Sequence, residues 1–410
     1  MLEFEDKPTQ IGTNIKIVGV GGAGGNAVNT MIRNELAGVE FIAANTDISD
    51  LNKSLASIKL QIGKQLTRGL GTGADPEKGS RSAEESKDEI QSHLEGADMV
   101  FIAAGMGGGT GTGGAPIVAK MAKDMGILTL GIVTTPFPFE GRMRMKNAEK
   151  GLNNLKENVD TLIVIPNEKL IEIYRDLTVL NAFQKADNIL YEAAKAVSDI
   201  INFSGLIALD FADVRATMQD KGLALMGTGS ATGQDKAIIA AKAAISNPLL
   251  TDTNLRGCES LLVNITAGSD LGMSEFEAVN SVIVNETGLD TEIFSGVIID
   301  ESYEDKITVT IIATGLQSEG NKDAFVFPQI QPPVKEPAPK AEEPAPQPTP
   351  KEDIVAQSNH EEEQELIEDI FRRLNFNKEL NSQEDNTPQE ETLKPLTPRT
   401  DLPSFLKALD

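Results

Sequence analysis

Residues 104–115 read Ala104-Gly105-Met106-Gly107-Gly108-Gly109-Thr110-Gly111-Thr112-Gly113-Gly114-Ala115 (AGMGGGTGTGGA), at the close of the apolar run that starts at Met99. Glycine over this length permits unusual dihedrals and lets backbone come close to an anion. Consecutive amides can converge on phosphate oxygens, reinforced by the positive end of a following helix. The hydroxyls of Thr110 and Thr112 add donors that a flexible linker does not need.

A second glycine loop lies about 85 residues upstream, in KIVGVGGAGGNAVN at 16–29. It contains a literal G-x-G-x-x-G after an apolar run and before a helix-like pattern. Taken alone, it is a dinucleotide fingerprint or a strand-to-helix turn with no ligand. Asp47 follows at roughly the 20-residue spacing of a ribose-binding acid, which keeps an NAD(P)-dependent oxidoreductase as the alternative. The second loop shifts the weight, since two glycine loops ending parallel strands can face one crevice and make a triphosphate-sized cradle. No G-x-x-x-x-G-K-[ST] occurs, so backbone amides and a metal must neutralise the charge.

Further polar loops fall at strand ends, Ala44–Asp47 and Gly69–Asp75 among them. PFPFEGRMR carries Glu140 and Arg144, four apart. They suit a ribose and a phosphate or base, or form a helix-surface ion pair.

Composition narrows the chemistry. The 410 residues carry a formal charge of −25, which argues against nucleic acid or an anionic membrane as partner. Cys258 is the single cysteine, so no intrachain disulfide or cysteine-cluster metal site is expected. Only His93 and His360 are present, which disfavours Ser-His-Asp or Cys-His catalysis. The acidic N-terminus and the lack of a ~20-residue apolar run predict a cytoplasmic protein without direct membrane insertion.

Residues 11–170 alternate strand candidates (IKIVGV, VEFIAANTD, ADMVFIAAG, LTLGIVTT, TLIVIPN) with helical patterns, the signature of an α/β parallel sheet. A long helical pattern from Thr178 to Ile201 suits a helix joining two domains. Residues 205–316 add the strands SLLVNITAG, SGVIID and ITVTIIATG, the last two expected to pair antiparallel across an acidic turn. All 36 glycines lie at or before Gly320, whereas 13 of the 20 prolines follow it, so a disordered tail is expected. An amphipathic segment at 361–379 and the ending TDLPSFLKALD interrupt this tail.

GGGTGTG at 107–113, with GVGGAGGNAVN at 19–29, NTD at 45–47, GLGTGADP at 69–76, FEGRMR at 139–144, DFADVR at 210–215 and LVNITAG at 262–268, resembles the tubulin/FtsZ family of GTPases in its bacterial cell-division branch. The resemblance implies a tubulin-like, Rossmann-like fold: a flexible N-terminus (1–13), a GTP-binding domain (14–176), a central core helix (177–204), a smaller α/β polymerisation domain (205–316), a disordered acidic linker (317–399) and a partner-binding peptide (400–410).

It also implies roles. GTP or GDP would sit on Gly22, Ala23, Gly24, Gly25 and Asn26 and on Gly109, Thr110 and Gly111. Glu140 and Arg144 would meet the ribose and nearby groups, Phe183 would pack on guanine, and Asp187 would accept from its ring nitrogens. Mg²⁺ would be held by the phosphates with no direct protein ligand.

Asp210 and Asp213, three apart, are by pattern either a variant capping box or a pair that polarises water. The resemblance makes them the catalytic acids, inserted into the next subunit of a head-to-tail homopolymer that forms the septal ring at mid-cell. Ala208 stands where the family usually has asparagine, so slow hydrolysis is expected, and a GTP-dependent scaffold with negligible hydrolysis is the third reading. Asp401, Leu402, Pro403, Phe405 and Leu406 resemble the peptide that docks on membrane-tethering division proteins.

Overall fold

The apolar runs at 15–20, 99–104 and 128–135 are buried along their whole length, as strands covered by helices on both faces must be. The computed structural model describes residues 12–174, 178–202, 205–207, 209–250, 255–288 and 291–316. The first part runs β1 (Ile15–Val20), α1 (Gly21–Arg33), β2 (Val39–Asn45), α2 (Ile48–Lys53), β3 (Ile58–Gln61), α3 (Lys64–Thr67), α4 (Pro76–Glu85) and α5 (Lys87–Leu94). It continues through β4 (Met99–Gly105), α6 (Thr110–Asp124), β5 (Leu128–Thr135), α7 (Arg142–Lys156), β6 (Thr161–Pro166) and α8 (Asn167–Ile173). Then follow α9 (Val179–Asn202), α10 (Phe211–Met218), β7 (Gly222–Thr232), α11 (Lys236–Ile245), β8 (Ser260–Ala267), α12 (Met273–Thr287), β9 (Glu292–Ile299) and β10 (Lys306–Thr314).

The strands form one ten-stranded sheet in the order β3-β2-β1-β4-β5-β6-β7-β10-β8-β9. From β3 to β6 every pairing is parallel, which is the doubly wound arrangement expected from the alternating pattern. Its order reverses between β1 and β4, and ligands of such sheets bind outside the carboxyl ends of the strands at that point. Both glycine loops leave the sheet there.

The expected long helix is α9, about 36 Å at 1.5 Å per residue. Ala186, Ile189, Leu190, Ala193, Val197 and Ile200 form its buried stripe, and Asn264 on β8 donates its Nδ2 to the Ala196 carbonyl at 3.3 Å. The helix thus packs on both parts of the sheet.

The expected hairpin of the last two strands is not formed. β10 lies between β7 and β8, antiparallel to each, and β9 runs parallel to β8 at the sheet edge. The reason lies in their apolar content. β10 buries Val309 through Thr314 and takes a central place, whereas β9 begins at exposed Glu292 and ends at exposed Ile299. The acidic turn carries the chain across the end of β8, where the Asp300 amide bonds the Ala267 carbonyl at 2.9 Å.

Candidate functional site

At the switch point the two glycine loops touch. Gly21 has φ +75°, and a Cβ on it would lie 2.8 Å from the Gly111 nitrogen. A Cβ on Gly111 would lie 2.7 Å from the Gly105 carbonyl, and one on Gly24 would lie 2.3 Å from the Ala103 carbonyl. Glycine is therefore required for α1 and α6 to start this close to the strands and to each other.

An α-helix begins with about four amides that lack an intrahelical partner. At α2 and α4 these are capped: the Asp47 carboxylate accepts from Ser49 and Asp50, and Asp75 accepts from Glu77 and Lys78. At α1 and α6, whose N-caps are Val20 and Gly109, no side chain caps the amides. Two uncapped helix N-termini therefore meet at the switch point, where Gly21 lies against Gly111, an arrangement suited to an anion with several oxygens. Asp47 caps α2 through Oδ1, a structural role that accounts for an acid at this position without a dinucleotide ribose.

Within α1, Gly22, Ala23 and Asn26 are exposed, Gly25 is half-buried and Gly24 is buried. Gly24 is thus a close-packing position beneath the loop. Ala23 sits in the first helical turn without a positive φ, so its methyl is accommodated.

The two threonines of the second loop part company. Thr110 Oγ1 lies 2.6 Å from Thr46 Oγ1 and 3.4 Å from Thr72 Oγ1. Thr112 is 2% exposed, and its Oγ1 accepts the Gly107 amide at 2.8 Å. It shapes the loop and does not add a donor to the crevice, contrary to expectation.

Glu140 and Arg144 form the i,i+4 ion pair, Nη1 to Oε2 at 2.5 Å, while Glu140 Oε1 accepts the Phe137 amide at 2.9 Å. Arg144 is half exposed and Glu140 largely buried, so the pair is a ready carboxylate and guanidinium at the start of α7.

Phe183 is 41% exposed near the start of α9. It meets Phe137 edge-on, centroids 5.0 Å apart, and Phe137 stacks on Phe139 at 5.1 Å. One turn further along α9, burial pushes the Asp187 carboxyl up to about 7, and Arg33 opposes the shift. An exposed aromatic beside a desolvated acid fits a flat base that carries N–H donors.

Two features went unnoticed in the sequence. Phe137 and Phe139 supply the aromatic bed under Phe183. Asn167, at the carboxyl end of β6, is buried with its Oδ1 unpartnered among the described residues. An asparagine directly after the buried run Thr161–Pro166 was the available signal.

Asp210 and Asp213 form the reciprocal capping box. The Asp213 amide donates to Asp210 Oδ1 at 2.9 Å and the Asp210 amide to Asp213 Oδ2 at 3.2 Å. α10 leads into β7, which starts parallel to β6 through Gly222–Ala224. The acids therefore lie at the amino edge of the sheet, opposite the glycine crevice. Ala208, the segment 361–379 and Asp401, Leu402, Pro403, Phe405 and Leu406 lie outside the described residues.

Fold and crevice together define an α/β nucleotide-binding protein of the doubly wound class. Residues 14–175 match the Tubulin/FtsZ family, GTPase domain, and residues 222–317 match the FtsZ family, C-terminal domain. The chain is 50% identical over 327 residues to a Pseudomonas aeruginosa protein named cell division protein FtsZ, covering 80% of this chain and 83% of that one. A protein of the same name from Coxiella burnetii is 49% identical over 313 residues, 76% of this chain and 81% of that one. A solved structure of an empty FtsZ dimer from M. jannaschii superposes with a TM-score of 0.72 at 41% identity, covering 75% of this chain and 90% of that one. The chain belongs to the Tubulin/FtsZ family and carries its GTPase domain.

Proposed function

We propose that this GTPase binds GTP in the crevice between Gly21–Asn26 and Gly107–Gly111, hydrolyses it at a site completed by a second copy, and assembles head-to-tail into cell-division filaments. One observation carries the reading: the uncapped amides and the Asp210–Asp213 pair occupy opposite edges of one sheet. Acids that cannot reach their own chain's crevice can reach that of a second copy placed edge to edge. Such a contact is heterologous and propagates into an open filament.

In this reading Phe183 offers its free face to guanine, and ionised Asp187 accepts from the base's N–H groups, with Asn167 Oδ1 as a further acceptor. Glu140 takes ribose hydroxyls and Arg144 reaches the nucleotide once their mutual pair opens. The amides of α1 and α6 hold the phosphates. The helix starts offer N–H and hydroxyl groups, with the Asp50 carboxylate beside Gly22, so a Mg²⁺ would be held chiefly by the nucleotide and would supply neutralisation of phosphate charge. Asp210 Oδ2 and Asp213 Oδ1 lie outside the capping bonds and are the oxygens that would orient the attacking water. Phosphoryl transfer needs chiefly positioning and charge stabilisation, which these groups supply.

The segment Asp401–Leu406 is proposed to dock on membrane-tethering division proteins at mid-cell, a role tested by deleting residues 400–410 and following ring attachment. Among the described residues no helix is long and apolar enough to cross a membrane.

GTP-dependent pelleting with simultaneous phosphate release tests the main reading. Wild type should pellet and release phosphate, and Asp213→Ala should pellet with little release. Full release by Asp213→Ala would contradict it.

A further inference from the structure

α6 spans the sheet from edge to edge. It starts at Thr110 in the crevice and, after 15 residues and about 22 Å, ends beside the strand beginnings. In its last turn Lys123 Nζ donates to Asp220 Oδ1 at 2.9 Å and to the Val159 carbonyl at 3.3 Å, and it pairs with Asp160 Oδ1 at 3.2 Å. Asp160 is buried and fixed, since its Oδ2 accepts the Thr129 amide at 2.9 Å and its carbonyl accepts the Gly222 amide at 2.9 Å. Asp220, by contrast, is exposed and lies in the turn between α10 and β7 with φ +54°. Burial draws the Lys123 pKa down, but Asp220 and Asp160 outweigh it and hold the ammonium above its ordinary value.

Two bonds therefore tie the end of α10 to the nucleotide-binding part of the sheet. One is the Thr161 hydroxyl to the Met218 carbonyl, and the other is the Lys123–Asp220 clasp. The clasp joins α6, which starts at the glycine loop, to the turn that follows the short helix α10, whose N-terminus carries Asp210 and Asp213.

We propose that Lys123, through Asp220, is a positioning residue for Asp210 and Asp213, fixing the height and tilt of α10 relative to the rigid end of α6. The proposal rests on the reading that these acids act on the nucleotide of a neighbouring copy. It predicts a defect in turnover within polymer while the variant's own nucleotide binding is untouched. A merely structural bond would instead lower fold stability and polymer mass together.

The discriminating variant is Asp220→Asn. It removes the charge that holds Lys123 and leaves only a neutral amide oxygen as a weaker acceptor, it keeps Lys123 paired with Asp160, and asparagine tolerates the left-handed backbone. Full-length wild type, Asp220→Asn, Asp213→Ala, Lys123→Ala and Lys123→Arg are compared for GTP affinity of the unassembled chain, thermal midpoint, pelleted mass, and phosphate released per pelleted subunit.

The expected result is unchanged GTP affinity and pelleted mass for Asp220→Asn, with release per pelleted subunit down about two- to fivefold, the range of one exposed ion pair. Lys123→Arg should restore release relative to Lys123→Ala. Wild-type release by Asp220→Asn, with release abolished in Asp213→Ala, would overturn the proposal and leave the shared-site reading standing. Full release by Asp213→Ala would remove that reading and the proposal with it. Parallel loss of thermal midpoint or pelleted mass in Asp220→Asn would assign the clasp to folding or assembly and also overturn the proposal.

Discussion

If Asp187 meets the base as proposed, GTP affinity depends on pH in a way set by the burial of this acid. Desolvation raises its carboxyl to about 7, so near neutrality about half of the empty chains carry a neutral acid there. Guanine presents N–H donors, and only the carboxylate accepts from them with both oxygens. Binding must therefore draw on the ionised fraction, and the apparent Kd rises as that fraction falls. With a midpoint near 7, affinity should weaken about tenfold between pH 8 and pH 6, and most of that loss should fall below pH 7.

The sign for folding runs the other way. A carboxyl whose folded pKa is raised stabilises the empty chain fully below its unfolded value of 3.8, and this contribution is lost as pH rises through about 7. Equilibrium titration of GTP at several pH values, under conditions that prevent assembly, checks the binding effect. Asp187→Asn is the control, because phosphate itself titrates near pH 6 and contributes equally to both proteins. The difference between the two profiles should trace one proton with a midpoint near 7. Superimposable profiles would refute the placement of Asp187 against the base.

Three further outcomes follow from named contacts. Gly111→Ala places a methyl 2.7 Å from the Gly105 carbonyl and should cost at least tenfold in GTP affinity by equilibrium titration, whereas Gly257→Ala, outside the crevice and with nothing within 4 Å, should bind normally. Phe183→Ala removes the exposed ring beside Phe137 and should weaken GTP by about 1–3 kcal/mol, the usual worth of base–aromatic stacking. Thr161→Val leaves the Met218 carbonyl without its buried donor and should lower unfolding free energy by about 1–3 kcal/mol in a denaturant titration.

Much of the site was legible because its glycines sit directly after buried strands. GGGTGTG and GVGGAGG each name a place where backbone must come close to something, and the structure puts both at the switch point. Less legible was what each acid does. Asp47 read as a ribose acid and Asp210 as either a cap or a catalytic acid, and the bonds to the following amides show both as caps.

β7 escaped notice because Gly222, Gly227 and Gly229 break its apolar signal. Two of those glycines exist for packing, since a Cβ on Gly227 or Gly229 would lie 2.2 Å from a carbonyl of α11. The order of β8, β9 and β10 was hidden for another reason. Strands adjacent in sequence, joined by a short acidic turn, look like a hairpin until competition for the buried central place is counted.

The shared active site is tested most directly by complementation. Asp213→Ala keeps the nucleotide crevice and loses an acid, while Gly111→Val keeps both acids and blocks the crevice. Neither should release phosphate efficiently alone. Mixed in equal amounts with GTP, the acids of the second should act on nucleotide held by the first, and phosphate release should reappear. No release from the mixture, with both chains present in the pellet, would contradict a site divided between two copies.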